Sequence, residues 1–241
     1  MKKILFAMFL ILAITVLLSA DVYIKSKVHS DAFTMMGQNQ PAKDEVTEQW
    51  VNNNQMANRS GDRVMIMDMS KKLMYVVNLK DKSFVETALP LDMSKLLPPE
   101  AASMAAMMKV TVKVTPNGQT KKISQWNCAG YDVDMNMMMM QMKMKVWAST
   151  EVPFDWKIFS KMYTNVSKMQ FMDDAAIAEF MKIAGFQVSS EMSMDMMGSK
   201  MRVTSLVTEI SQKPAPAGTY SVPAGFTKEK TLSLDAMRGG K

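Results

Sequence analysis

Residues 131–147, "YDVDMNMMMMQMKMKVW", leave few regular arrangements that keep charge out of an apolar surface. Side chains of a β-strand alternate between two faces, and facing residues of an antiparallel pair share a face. A hairpin with Met138 and Met139 at its tip sets Met137 opposite Met140, Met135 opposite Met142, Val133 opposite Met144 and Tyr131 opposite Val146. The reverse face then carries Asn136 with Gln141, Asp134 with Lys143 and Asp132 with Lys145, so opposite charges lie directly across. A slip of one residue would carry those charges into the apolar face. The tip lacks the Gly or Asn of a tight two-residue turn, but a four-residue loop at 137–140 keeps the same register.

"SMDMMGSKMRVT" obeys the same rule about a turn at Gly198 and Ser199. That centre predicts Met196 facing Met201 and Met194 facing Val203, with Asp195 facing Arg202 on the reverse. Alternation of this kind runs through most of the chain: "VYIKSKVHSDAF", "EVTEQWVNNNQMANRS" after the loop "MGQNQPAKD", then "DRVMIMDM", "KLMYVVNL", "SFVETAL" and "KVTVKVTP". The short polar breaks between them predict a β-meander, and Asn117-Gly118 marks a further turn.

Three segments read as helix. "PPEAASMAAMM" begins with prolines and continues in helix formers. In residues 154–166, Trp156, Phe159, Tyr163 and Val166 fall on one helical face. The third segment is bounded at its start by Asp173 and Asp174. It carries an apolar stripe of Ile177, Phe180, Met181 and Ala184 and ends at Gly185. The expected fold is mainly β with helices (α+β): a curved antiparallel sheet or incomplete barrel covered by a helical lid, spanning 21–230 as one domain. Residues 231–241 read as a flexible tail.

The opening twenty residues, "MKKILFAMFLILAITVLLSA", have a basic start, an apolar run and a small-residue exit, the layout of a cleaved bacterial export signal. A retained membrane anchor is the alternative. Export implies a periplasmic protein, and the lone Cys128 then leaves no intrachain disulfide and reads as a buried, inert thiol. Of 29 basic residues against 23 acidic, two lie in the signal, leaving a net charge of +4. The lysines are scattered singly, so no basic stripe of a nucleic-acid binder is present. The mild positive charge is compatible with transient contact with a membrane surface or envelope protein.

Catalysis finds little to work with. His29 is the only histidine, Cys128 has no basic neighbour in sequence, and no Gly-rich phosphate loop, CxxC or HExxH occurs. The expectation is a non-enzymatic protein without a cofactor. The informative excess is methionine: after residue 20 there are 28 Met against nine Leu. Met is unbranched and polarizable, suited to surfaces that accept varied apolar shapes. Met135, Met137, Met140, Met142, Met144, Met194, Met196 and Met201 are therefore candidate ligand-binding residues for a lipid or acyl chain. Two alternatives stand beside this: a Cu(I) site of thioethers, and a sheet core that simply uses Met, in an envelope protein without a ligand.

"SGDRVMIMD" (60–68), "ISQWNCAGYDVDM" leading to "KVWAST" (123–150) and "YSVPAGF" (220–226) together resemble the exported bacterial proteins of domain-of-unknown-function family 4412. That family carries a Cys-x-x-Tyr on one strand and a Trp on the next, matched here by Cys128, Tyr131 and Trp147. The Met-rich hairpin tip departs from its pattern. The resemblance implies an architecture similar to the periplasmic lipoprotein carriers LolA and LolB: an incompletely closed antiparallel barrel, helices over its opening, acyl chains bound inside. It implies no catalytic residue.

Overall fold

The computed structural model describes residues 21–35, 38–89, 110–137, 140–157, 172–196 and 199–231. The helix expected over 98–108, most of that over 154–166, the export segment and most of the tail lie outside these. Trp156 and Lys157 are helical where that second helix was expected. Among the described residues no helix is long and apolar enough to cross a membrane.

Among the described residues twelve strands form one sheet. The first meander comprises β1 (Asp21–Ser30), β4 (Lys43–Val51), β5 (Gln55–Ser60), β6 (Arg63–Asp68), β7 (Leu73–Asn78) and β8 (Ser83–Ala88). The second comprises β9 (Val110–Ile123), β10 (Trp126–Met137), β11 (Met140–Ser149), β12 (Phe186–Met196) and β13 (Ser199–Lys213). They join where β1 pairs with β13, and with β14 (Thr227–Glu229) at one edge the order is β14-β8-β7-β6-β5-β4-β1-β13-β12-β11-β10-β9. Every ladder is antiparallel except the last: β14 lies parallel to β8. A separate small hairpin of β2 (Phe33–Met35) and β3 (Gln38–Gln40) occupies part of the stretch expected to be loop.

The turns are built from side-chain chemistry. The Asp68 carboxylate accepts from Lys71 N and Asn78 Oδ1 accepts from Asp81 N, after which Lys72 and Lys82 adopt positive φ. Asn52 does the same for Asn54 and Gln55, cutting the expected strand "EVTEQWVNNNQMANRS" into β4 and β5. Asx side chains close such turns because they imitate a backbone acceptor.

Three further expectations are corrected. Asn117-Gly118 is no hairpin turn: β9 runs through it as a bulge, with Gly118 at φ 71, and the chain reverses between Ile123 and Trp126. Asn117 can close a local turn by accepting from Gln119 N without ending the strand. The β12–β13 hairpin is centred one residue earlier than expected, so Met194 faces Met201, Asp195 faces Lys200, Met196 faces Ser199 and Val203 faces Met192. Both registers keep Met on one face, so parity could not choose between them. The last helix, α1 (Asp174–Phe180), stops short of Ala184, and Met181, placed in the apolar stripe, is 54% exposed. The 131–147 hairpin has the predicted register throughout, from Tyr131 with Val146 to Met137 with Met140.

Apolar side chains are buried on both faces of the first meander. Met56, Met67, Met74, Val51 and Ile24 belong to the inner core. Ala57, Ile66 and Val77 form an outer cluster against which Tyr220, Val222 and Phe226 of the proline-rich segment pack. Asp21 anchors that segment by accepting from Ala215 N.

Candidate functional site

Strand alternation sends Met135, Val133 and Tyr131 of β10 and Met142, Met144 and Val146 of β11 to the same inner face, where they form or adjoin one apolar cluster. Helix α1 is held over this cluster. Asp173 caps it by accepting from Ala176 N, 2.8 Å, satisfying a donor that the helix itself leaves open. Glu179 reaches the sheet edge and accepts from the backbone N–H of Val114 at 2.9 Å. The Lys182 ammonium and then that N–H hold the Glu179 carboxyl below its ordinary range. Beyond the helix, the Tyr131 hydroxyl accepts from Ala184 N, and Gly185 turns the chain at φ 108 into β12.

Between α1 and the sheet lies a cavity of about 460 Å³. Its sheet wall includes Met135, Met144 and Met192; Ile177, Phe180 and Ile183 close it from the helix side. The far wall is different: Ser26, Thr47, Gln49, Asn58 and Ser205, from β1, β4, β5 and β13. Asn58 and Met135 stand six strands apart, about 29 Å on a flat sheet. That both line one cavity shows how strongly the sheet curls, and yet its edges do not meet.

Of the expected Met residues, Met135 and Met144 line the cavity, and Met142 packs against the adjoining cluster. Met140, Met194 and Met201 are half-buried and do not line it. Met137 and Met196 lie in strands, but their side chains fall outside the described residues. The site residues missed from sequence fall into two groups. Met192 had a signal, since it shares parity with Met194. The polar wall had none, because a polar residue in an alternating strand reads as solvent-facing.

A second hollow, about 520 Å³, lies on the outer face beneath residues 216–223. Though larger, its polar groups are already engaged. The Tyr23 hydroxyl donates to Glu48 at 2.5 Å, and Lys213 pairs with Glu209 while stacking 3.8 Å from the Tyr23 ring centre. The inner cavity is the better candidate. His29 sits on the outer face, its two ring nitrogens 2.8 Å from Asp44 and 3.1 Å from Asp31. Cys128 is buried in the core, and burial pushes its thiol up. Among the described residues no group of three His, Cys, Asp or Glu side chains is arranged to hold a metal.

The family model described as "Domain of unknown function (DUF4412)" matches residues 25–226. No curated protein matches the sequence. Two solved structures are similar to parts of the arrangement. A structure of PNGF-II has 11% identity and a TM-score of 0.39, covering 89% of this chain, which spans 32% of that protein's length. A DUF1329 family protein from Desulfovibrio piger has 9% identity and a TM-score of 0.28, with 87% of this chain and 92% of that one covered.

Proposed function

This chain belongs to the DUF4412 family, a family defined without a function, and from the geometry of its own cavity we propose that it is an exported, non-enzymatic protein that binds an apolar ligand, a lipid or lipoprotein acyl chain. The observation that carries this is the 460 Å³ hollow between α1 and the Met-bearing inner face. Protein interiors are otherwise packed with few voids larger than a water molecule. The volume is that of a small-ligand site, mostly apolar with a few convergent polar groups. Its wall residues Met135, Met144 and Met192 can rearrange around different chain shapes. The basic, apolar and small-residue order of the first twenty residues supports export to the periplasm. The curled, unclosed sheet with a helix over its inner face supports a carrier role of the LolA and LolB kind. A non-catalytic role is supported by His29 lying on the opposite face and by Cys128 being buried, where burial pushes its thiol up.

Native mass spectrometry of protein purified from the periplasm tests the reading, together with titration of an uncharged fluorescent acyl probe. Lipid mass on the protein, and probe binding lost in Met144→Asp but kept in Met144→Leu, are expected. A bare chain that binds no probe would overturn it.

One observation favours a second reading, soft-metal binding. Cross-strand register aligns Met135, Met142, Met194 and Met201 in a single row over four neighbouring strands. Directly opposed side chains have Cβ atoms about 5 Å apart, so neighbouring thioethers of such a row can converge on one Cu(I). Titration with Cu(I) decides: binding that is unchanged in the Met142→Leu, Met194→Leu double variant dismisses this site.

A further inference from the structure

The inner cavity is chemically two-sided. Its apolar side is Met135, Met144, Met192, Phe180 of α1 and Ile183 just beyond that helix; its other side carries neutral polar side chains beside Ile24 and Val207. Register fixes this division: Ser26 faces Thr47 across β1 and β4, and Gln49 faces Asn58 across β4 and β5. These four side chains are therefore on the inner face together, with Ser205 of β13 beside them. Gln49 spends its amide N–H on the Met56 sulfur, 2.8 Å away. Among the described residues, the side chains of Ser26, Thr47, Asn58 and Ser205 have no hydrogen-bond partner in the protein. Their hydroxyls and amide each both donate and accept. Their polar atoms open onto the cavity and are not sealed in the core, so they are available to bond to what occupies it.

We propose that the cavity takes a single-chain amphiphile with an uncharged, hydrogen-bonding head, such as a monoacylglycerol or an acyl amide, the chain along the Met wall and the head against Ser26, Thr47, Asn58 and Ser205. This rests on the cavity being the ligand site. The charge of the head follows from the lining: among its described residues none is ionisable. The inner-face charges further along β4, Lys43 and Glu45, neutralise each other at 2.5 Å. Against these described residues a carboxylate or phosphate would leave water without gaining a cation, a strongly unfavourable exchange. A neutral diol or amide head exchanges water for the four waiting side chains at little cost.

The test compares a monoacylglycerol, the fatty acid of equal chain length at pH 8 and the matching 1-alkanol, each displacing an uncharged acyl probe. The monoacylglycerol should bind at least about tenfold more tightly than the fatty acid. Thr47→Val and Asn58→Leu should each weaken the monoacylglycerol by about three- to tenfold while leaving the alkanol nearly unchanged. Asn58→Lys should reverse the preference toward the fatty acid. Thermal melting checks that each variant is folded, and Thr47→Val, being nearly isosteric, carries the test should the Asn58 variants not fold. A fatty acid that binds as tightly as the monoacylglycerol, or a preference untouched in Thr47→Val, overturns the neutral-head assignment while the apolar-ligand reading stands. If no probe binds, whatever its head, both fall together.

Discussion

Replacing Asp68 by Asn should cost stability at neutral pH and progressively less in acid. Asp68 ends β6 and is 2% exposed. Burial pushes its carboxyl up, but the opposing contacts are stronger. The Ser70 hydroxyl donates at 2.5 Å, Lys71 N at 3.0 Å and the Gln55 amide at 2.9 Å, with the Lys71 ammonium 3.5 Å away. The net result is a carboxyl lowered from 3.8 to about 2. A difference of that size between folded and unfolded chain corresponds to about 2 kcal/mol. Because the folded value is the depressed one, this stability is fully present above the unfolded value and is lost as pH falls through the range from about 5 to 2. For a domain of this length about 2 kcal/mol is roughly 4–8 °C in Tm. Asp68→Asn keeps the shape but removes the charge. Its melting temperature should therefore lie below the native one by about that much at pH 7, and the gap should shrink to about half by pH 3. Other carboxylates titrate in both proteins and cancel in the comparison. A gap of the same size at pH 7 and pH 3, or none at pH 7, would refute the assignment of this charge to the β6–β7 turn.

Gly130→Ala should destabilise by about 1–3 kcal/mol, because a methyl there would lie 2.5 Å from Asn117 Oδ1; an accompanying Asn117→Ser should restore most of the loss in urea denaturation. Gly185→Ala is the harsher change. Its φ of 108 is one L-residues rarely adopt and its new methyl would meet the Ser149 carbonyl oxygen at 2.5 Å, so a loss of at least about 2 kcal/mol is expected and a neutral result would contradict the structure. In Glu179→Ala the Val114 amide proton and those of α1 should exchange with solvent faster than in Glu179→Gln, which keeps an acceptor for that N–H; equal exchange in the two would remove Glu179 as the anchor of the helix. The His29 ring, bonded first by Asp44 and also by Asp31, has its pKa raised above 6.5. Its contribution to stability should be complete below pH 6.5 and vanish as pH rises through the raised value, and an NMR titration midpoint at or below 6.5 would dismiss it.

What the sequence disclosed was whatever alternation and charge jointly constrain. The 131–147 hairpin is the best case: Asp134 with Lys143 and Asp132 with Lys145 could be paired only in the register that also paired the methionines, and the structure has that register. The β12–β13 hairpin is the instructive failure. There a shift of the turn centre preserved every face assignment, so Met194 could meet Val203 or Met201 without violating any pattern, and only the fold decided for Met201. The Asn117-Gly118 pair failed for a related reason, since the same two residues serve a tight turn or a bulge equally well. The cavity was half legible. Its Met wall follows from strand parity, whereas Ser26, Thr47, Asn58 and Ser205 are indistinguishable in sequence from residues bathed in water. Their inward position depends on how far the sheet curls, which is a property of strands distant in sequence.

A line of bulges crosses the second meander and reaches β1. Gly130 faces Trp147, Trp147 faces Ser189, Ser189 faces Leu206 and Leu206 faces Lys27, a single row running over β10, β11, β12, β13 and β1. Every register irregularity in this part of the sheet lies within about two residues of that row: between Ala129 and Tyr131 against β9, between Trp147 and Ala148 against β12, and between Lys25 and Ser26 against β13. A bulge bends its strand and increases local twist, so bulges aligned across neighbouring strands fold a sheet along their common line. The residues that resemble the family pattern, from Cys128 through Tyr131 to Trp147, lie on or beside this crease. Gly130 admits the Asn117 side chain at the bulge, while the Tyr131 hydroxyl ties the segment after α1 to the sheet just past it. To one side of the crease the strands pack into the main core around Trp126, Cys128 and Val188. On the other the ladders run without irregularity toward the hairpin tips and carry the methionines. The bulged row thus bends β10, β11 and β12 where the main core gives way to the Met wall, while the curl that brings this wall to face β4 and β5 accumulates from strand to strand across the sheet.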